Sequence, residues 1–153
     1  MFKLLHCLLL ENVKIGLAVI KVRRYMTQIN DVYKCEICGN IIESIHSGSD
    51  SLTCCGQLMT KVELKSGPDG QEKHLPVVKK NDNKIIVKIG SISHPMTEEH
   101  YIEWIEIIIG NEIQRVFLKS GDEPIAEFEV TNTNNSVVAR AYCNIHGLWV
   151  TNL

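Results

Sequence analysis

Four cysteines lie in a segment too short to fold around an apolar core. Cys35-Glu36-Ile37-Cys38 and the adjacent pair Cys54-Cys55 fall within residues 26–65. A unit of about forty residues buries too little apolar surface to be stable alone, and natural units of this size lean on disulfides, a metal or a partner. Two close pairs in so short a stretch read as metal ligands in a reducing compartment rather than as disulfide staples. Cys35-x-x-Cys38-Gly39 has the form of a metal knuckle. A tight turn aims two thiolates at one point, and the glycine admits a positive φ. Cys54-Cys55-Gly56 supplies the other two thiolates. Four thiolates suit zinc or a single iron, both tetrahedral, and the spacing does not choose between them. Ribbons of this kind usually separate the members of both pairs by two residues. An adjacent pair cannot aim both side chains at one point without backbone distortion, so a strained tetrahedron is expected at Cys54 and Cys55.

Ser66-Gly67-Pro68-Asp69-Gly70 is a chain breaker and marks a linker over residues 66–70. Beyond it, residues 71–153 read as strands. Lys84 to Ile89 is β-branched and follows the turn Asn81-Asp82-Asn83. Tyr101 to Ile109 is a long β-branched and aromatic run, and Gly110-Asn111 is a two-residue hairpin signal before Glu112 to Leu118. Ile125 to Val130 alternates, with Ala126, Phe128 and Val130 on one face. Val137 to Tyr142 and Leu148 to Thr151 complete the set, and Asn40 to Ser44 and Met59 to Leu64 are strand-like in the first unit. No segment carries helical periodicity. Short strands at regular spacing predict a mainly β chain whose second domain is a β-sandwich.

That second domain carries five more metal-capable side chains: His74, His94, His100, Cys143 and His146. Singly, each has an ordinary reading. A lone histidine on a loop is most often a satisfied or surface residue, and a lone cysteine a small buried apolar one. Their grouping changes the weight. Cys143-x-x-His146 closes a local loop, His94 and His100 flank a short segment before a strand, and His74 follows the linker. A structural zinc site normally closes at four ligands, whereas five leave one position open on a six-coordinate metal. His6 and His46 lack such neighbours and read as surface residues.

With 153 residues the chain has room for one ordinary domain or two small ones. A formal net charge of −2 excludes the basic footprint of a nucleic-acid binder. No apolar run reaches the roughly 18 residues of a membrane span. Thiolate ligands point to the cytoplasm. Residues 1–25 stand apart: Leu4 to Leu10 is apolar, Glu11 breaks it, Lys21 to Arg24 is basic, and Met26 can itself serve as a start. A weakly structured extension, or one absent from the native protein, is expected there; an amphipathic targeting segment is the rival reading.

The ordered set of motifs resembles one family. It comprises Cys35-x-x-Cys38 with Cys54-Cys55, Glu72-Lys73-His74-x-Pro76, His94-Pro95-Met96, Glu99-His100-Tyr101-Ile102-Glu103-Trp104-Ile105 and Cys143-Asn144-x-His146-Gly147-Leu148-Trp149. This resembles the desulfoferrodoxins, the two-domain class of superoxide reductase, and the resemblance covers Met26 to the last residue. Any one piece is weak, and their order makes the set specific. The resemblance implies a desulforedoxin-like, rubredoxin-like first domain over residues 26–65, with a ferric iron on Cys35, Cys38, Cys54 and Cys55. It implies an immunoglobulin-like seven-stranded sandwich over residues 71–153 holding a second iron that cycles between ferrous and ferric. His74, His94, His100 and His146 would be its equatorial ligands and Cys143 its axial thiolate. Glu72 would close the sixth position of the oxidised iron. Superoxide would be the substrate, hydrogen peroxide the product, and rubredoxin or a similar carrier the electron donor, in a homodimer.

Elementary chemistry agrees. Four neutral imidazoles and one thiolate on Fe(II) leave about one positive charge, by ligand charges, and that attracts a small anion. Lys73 adds to the attraction and can orient water for protonation. A thiolate opposite the open position pushes electron density toward what binds there, as in thiolate-ligated haem. Taken without the motif, Glu72 and Lys73 are a solvated surface pair, and Trp104 and Trp149 are core or site-wall residues. Two other readings remain at this point: an iron electron-transfer protein working through the four-cysteine centre, and a zinc-stabilised sandwich without a redox role. A five-ligand set beside a Glu-Lys pair speaks against the last.

Overall fold

Runs of β-branched residues become sheet along most of the chain. The computed structural model describes residues 11–15, 18–22, 26–49, 51–68, 70–131 and 136–153. The chain divides into two compact units, Met1–Val62 and Glu63–Leu153. Of the extension before Met26, only the backbone of β1 (Glu11–Ile15) and β2 (Ala18–Val22) falls within the described residues, and it pairs antiparallel, Glu11 facing Val22. His6 lies outside the described residues; His46 is exposed.

The first unit continues with β3 (Val32–Lys34), β4 (Ile41–Glu43), β5 (Thr53–Cys54), β6 (Gln57–Leu58) and β7 (Thr60–Lys61). One sheet has the order β4-β3-β7, and β5 pairs with β6. Among the described residues, one core cluster of this unit is Tyr33, Cys35 and Met59, with Leu52 and Cys54 packed against them, and Val32 is buried as well. Cys35 and Cys54 thus belong to the core as well as to the thiol set.

The second unit holds β8 (Leu64–Lys65), α1 (Gln71–His74), β9 (Pro76–Asn81), β10 (Lys84–Ile89), β11 (Ile102–Ile109), β12 (Glu112–Phe117), β13 (Ile125–Glu129), β14 (Val137–Cys143) and β15 (Gly147–Asn152). A three-stranded sheet, β13-β10-β9, faces a five-stranded one, β12-β11-β14-β15-β8. Period-two alternation fills the space between them. Ile85, Val87 and Ile89 from β10 and Ala126 and Phe128 from β13 meet Ile102, Ile105 and Ile107 from β11 and Val137, Ala139, Ala141 and Cys143 from β14. Without the two-residue β8 this is a seven-stranded sandwich. Gly110, at φ 59, makes the tight turn that sets Ile109 opposite Glu112.

Three features differ from the expectation. Met59 to Leu64 is not one strand. It breaks at Val62 and Glu63, and Leu64 and Lys65 pair in parallel with Leu148 and Trp149. The division between units therefore falls three residues earlier than Lys65. Strand β9 was not anticipated, because Pro76 heads it; proline is tolerated there at the first residue of an edge strand. The single helical turn α1 is too short to show periodicity. Among the described residues no helix is long and apolar enough to cross a membrane.

Strand β11 carries a buried carboxylate. Glu106 is fully buried, and Arg140 on β14 and Arg115 on β12 both donate to it. Arg115 in turn lies 4.8 Å from the centre of the Trp104 ring, which stacks on Tyr142. Removing one partner of a buried ion pair leaves charge uncompensated. Arg140→Met is expected to destabilise the sandwich by about 3 kcal/mol, the lower end of the range because Arg115 stays in place. Urea denaturation followed by tryptophan emission reads this.

Candidate metal centres

Cys35, Cys38, Cys54 and Cys55 bring their sulfurs within 4.8 Å of one another. Cys35 is buried and Cys38 and Cys55 are exposed; all four are free thiols. The Cys38 and Cys54 sulfurs are 3.6 Å apart and those of Cys54 and Cys55 3.9 Å. A disulfide would bring them to about 2 Å. The edge of a tetrahedron around a cation with metal–sulfur bonds of 2.3 Å is about 3.8 Å. The spacing fits a metal. Gly39 stands at φ 76, as the knuckle requires. The distortion expected of the adjacent pair sits at Cys55, a non-glycine residue at φ 51, with Gly56 at φ 80 behind it. Backbone N–H groups of Cys38 and Ile37 pull the Cys35 thiol down to about 7. Its crowding by Cys38 and Cys54 pushes Cys55 up to about 12. Four thiolates do not coexist at this distance without a cation among them.

The second set is assembled from loops at one end of the sandwich. His74 ends α1, His94 and His100 lie on the connection from β10 to β11, Cys143 ends β14, and His146 precedes β15. Their five ligand atoms also lie within 4.8 Å of one another. The ladder of β11 on β14 shifts register between Ile102 and Trp104, so Ile102 faces Cys143 directly. Such bulges sit where a strand must re-aim its neighbours.

Backbone carbonyls fix the rings. His74 Nδ1 lies 2.8 Å from the Gly70 oxygen and His94 Nδ1 2.5 Å from the Pro95 oxygen. A carbonyl only accepts, so each Nδ1 carries the hydrogen and each Nε2 keeps a bare lone pair. Burial pulls His94 down to about 4 and lowers His74 and His100 as well, so the rings are neutral. Burial also pushes the Cys143 thiol up, which only a nearby cation reverses.

Do these residues fit a metal? His94 Nε2 is buried without a hydrogen-bond partner. His74 Nε2 lies 2.9 Å from His146 Nδ1, which lies 3.1 Å from His100 Nε2. Adjacent ligands at right angles around a cation, with bonds of 2.1 Å, stand about 3.0 Å apart. Cys143 Sγ is 3.5 Å from His146 Nδ1. The donors therefore converge as ligands do. Three imidazole nitrogens in mutual contact, the orphaned nitrogen of a fourth and a thiol make a donor set that iron fits. Cys143 is fully buried while His100 and His146 are half-buried, so the thiol lies on the protein side and the open side faces solvent. Trp149 walls the set, its ring 4.9 Å from that of His74 and 17° from parallel. Glu72 and Lys73 are exposed on α1 beside His74, and the charge of Lys73 disfavours protonation of His100.

One residue without an assigned role in the sequence analysis holds two of the loops together. Asn144 Oδ1 accepts from the Tyr101 N–H at 3.1 Å, and its Nδ2 donates to the Glu99 carbonyl at 2.9 Å. It ties the His100 loop to the Cys143–His146 turn. Its place between two ligands was the only signal.

Comparisons with known proteins follow this geometry. A family model described as Desulfoferrodoxin matches residues 66–152, and one described as Desulfoferrodoxin, N-terminal domain, matches residues 27–62. A desulfoferrodoxin homolog of Archaeoglobus fulgidus is 55% identical over 124 residues, covering 81% of this chain and 98% of its own. One from Methanothermobacter thermautotrophicus is 45% identical, covering 81% and 99%. Among solved structures, the superoxide reductase of Treponema pallidum superposes with a TM-score of 0.62 at 27% identity, covering 85% of this chain and 99% of its own.

Residues that orient metal ligands typically contribute ten- to hundredfold in affinity. Asn144→Ala is expected to weaken cobalt binding at the second centre by about tenfold, read by chelator competition, and to leave the four-cysteine centre unchanged.

Proposed function

The chain belongs to the desulfoferrodoxin family, and on that premise we propose that it is a superoxide reductase acting at the second centre. The observation that carries the reading is the five-donor set with its one thiol on the buried side and its open side toward solvent. His74, His94, His100 and His146 would hold the iron as neutral ligands, with the Cys143 thiolate as the fifth donor. Held there, iron would supply the one electron that superoxide takes, and the donor would replace it. The balance is one superoxide, one electron and two protons giving one hydrogen peroxide.

The chain's own residues do the rest. Four neutral rings and one thiolate leave the ferrous site with about one positive charge, which draws the anion in. The Lys73 ammonium extends that field into solvent and holds water at the open side, from which the product takes its protons. Glu72 would offer a carboxylate oxygen to the oxidised site, where the charge would be one unit higher. Trp149 and the buried wall keep the thiolate dry. Cys35, Cys38, Cys54 and Cys55 would hold a second, ferric iron in the first unit, which ends at Val62, ahead of the sandwich unit that begins at Glu63. A rubredoxin-type donor, a homodimer and a cytoplasmic setting complete the reading; the free thiols support the last.

Protein purified without oxygen should hold about two irons per chain, and its ferrous form should be oxidised by superoxide in stopped flow. Full iron content with no such oxidation would leave the carrier reading in its place. Lys73→Ala should lower the bimolecular rate about tenfold at low ionic strength and flatten its salt dependence. Glu72→Ala should change the ferric absorption band with little loss of rate.

A further inference from the structure

Among the described residues, neither the Glu72 nor the Lys73 side chain has a hydrogen-bond or ion-pair partner. Their placement over the second centre is therefore set by the backbone that bears them. The shorter bonds to that backbone come from the 90–92 turn. The Glu72 carbonyl accepts from the Ile92 N–H at 2.8 Å and from Ser91 Oγ at 3.3 Å, and the Leu75 carbonyl accepts from the Gly90 N–H at 3.0 Å. Gly90 makes this approach feasible. It stands at φ +80, and a Cβ there would lie 2.3 Å from the Ile92 oxygen, 2.8 Å from the Glu72 oxygen and 2.8 Å from the Lys73 carbonyl carbon. All three are backbone atoms, which cannot swing aside. Gly39, Gly56, Gly110 and Gly121 also have positive φ, but each has open space where a Cβ would sit. Their requirement is conformation; that of Gly90 is conformation and contact.

His74 is anchored separately, by the Gly70 carbonyl and by the face of Trp149. On that side residue 73 has one longer bond, from its N–H to the Gly70 carbonyl at 3.3 Å. We propose that Gly90 is a positioning residue for the reaction: its missing side chain lets the 90–92 turn close on residues 72–75 and so sets where the Lys73 ammonium and the Glu72 carboxylate stand over the open side. The inference rests on the superoxide reductase reading. It assigns to a residue that touches neither metal nor substrate the geometry of the two that attend them.

The test is a double-mutant cycle on the iron-loaded full chain. Gly90→Ala and Lys73→Ala should each lower the superoxide rate about tenfold at low ionic strength, with the salt dependence flattened in both. If Gly90 acts through Lys73, the double variant is no slower than Lys73→Ala alone, because coupled residues are not additive. Losses that multiply, or a Gly90→Ala rate equal to that of the parent chain, overturn the proposal. A second readout needs no turnover. In the zinc-loaded chain, Gly90→Ala should speed hydrogen exchange at the Ile92 amide while leaving the Asn144 amide as it is; uniform acceleration across the sandwich means global loosening and overturns it. Should Gly90→Ala not fold, Ser91→Ala removes only the hydroxyl contact. It should slow the reaction about twofold, again without further loss when combined with Lys73→Ala; an unchanged rate overturns the proposal. A parent chain inert to superoxide would refute the functional reading instead, and the exchange measurement would still decide whether the clamp exists.

Discussion

Lone pairs brought together without protons repel, and one end of the sandwich is organised around such a meeting. His74 Nε2 and His100 Nε2 both close on His146 Nδ1, at 2.9 and 3.1 Å, and carbonyl oxygens take the hydrogens on the far side of His74 and His94. Burial disfavours extra protons on His74 and His94. One proton on His146 Nδ1 serves a single neighbour, whereas a cation gives every lone pair a partner at once. What keeps the loops from moving apart is the sandwich beneath them. Cys143 sits at the end of a central strand with its side chain in the main core, paired on one side with Ile102 across the bulge of β11 and on the other with Gly147 of β15. The rigidity of the sheet is thus spent at its rim, where chemistry uses it.

The two centres solve different problems. In the first unit, the sulfurs supplement a core that forty residues cannot provide, and Cys35 and Cys54 are themselves part of the cluster around Tyr33 and Met59. Metal and fold are the same event there. In the second unit the core is complete without the metal, and the site is an addition to one end. A closed tetrahedron of thiolates suits storage or transfer of an electron; a donor set with one side open suits meeting a small anion.

Much of this was legible in the sequence because its signals are local. Alternation gave β13 close to its true ends, and β-branched runs bounded by turn signals gave β10, β11 and β14. The adjacency of Cys54 and Cys55 implied a distorted backbone, and Cys55 carries it as a positive φ. What stayed hidden is contact between distant segments. Pro76, followed by Val77 and Val78 and then by Lys79 and Lys80, does not alternate, and only pairing with β10 makes it a strand. Gly90 looks like any other glycine after a strand until the Glu72 carbonyl is found against it. Asn144 was visible inside a motif, but its partners are more than forty positions away.

The stacking of Trp149 on His74 reaches beyond packing. The chain has two tryptophans, and they occupy contrasting places. Trp104 lies against Tyr142 and under the Arg115 guanidinium, on the face of β11 away from the sandwich core. Trp149 lies flat on an imidazole of the second donor set. An indole in that position is quenched when a paramagnetic ion enters the ring of nitrogens beside it. The molecule therefore carries an optical gauge of its own occupancy, in light that needs no label.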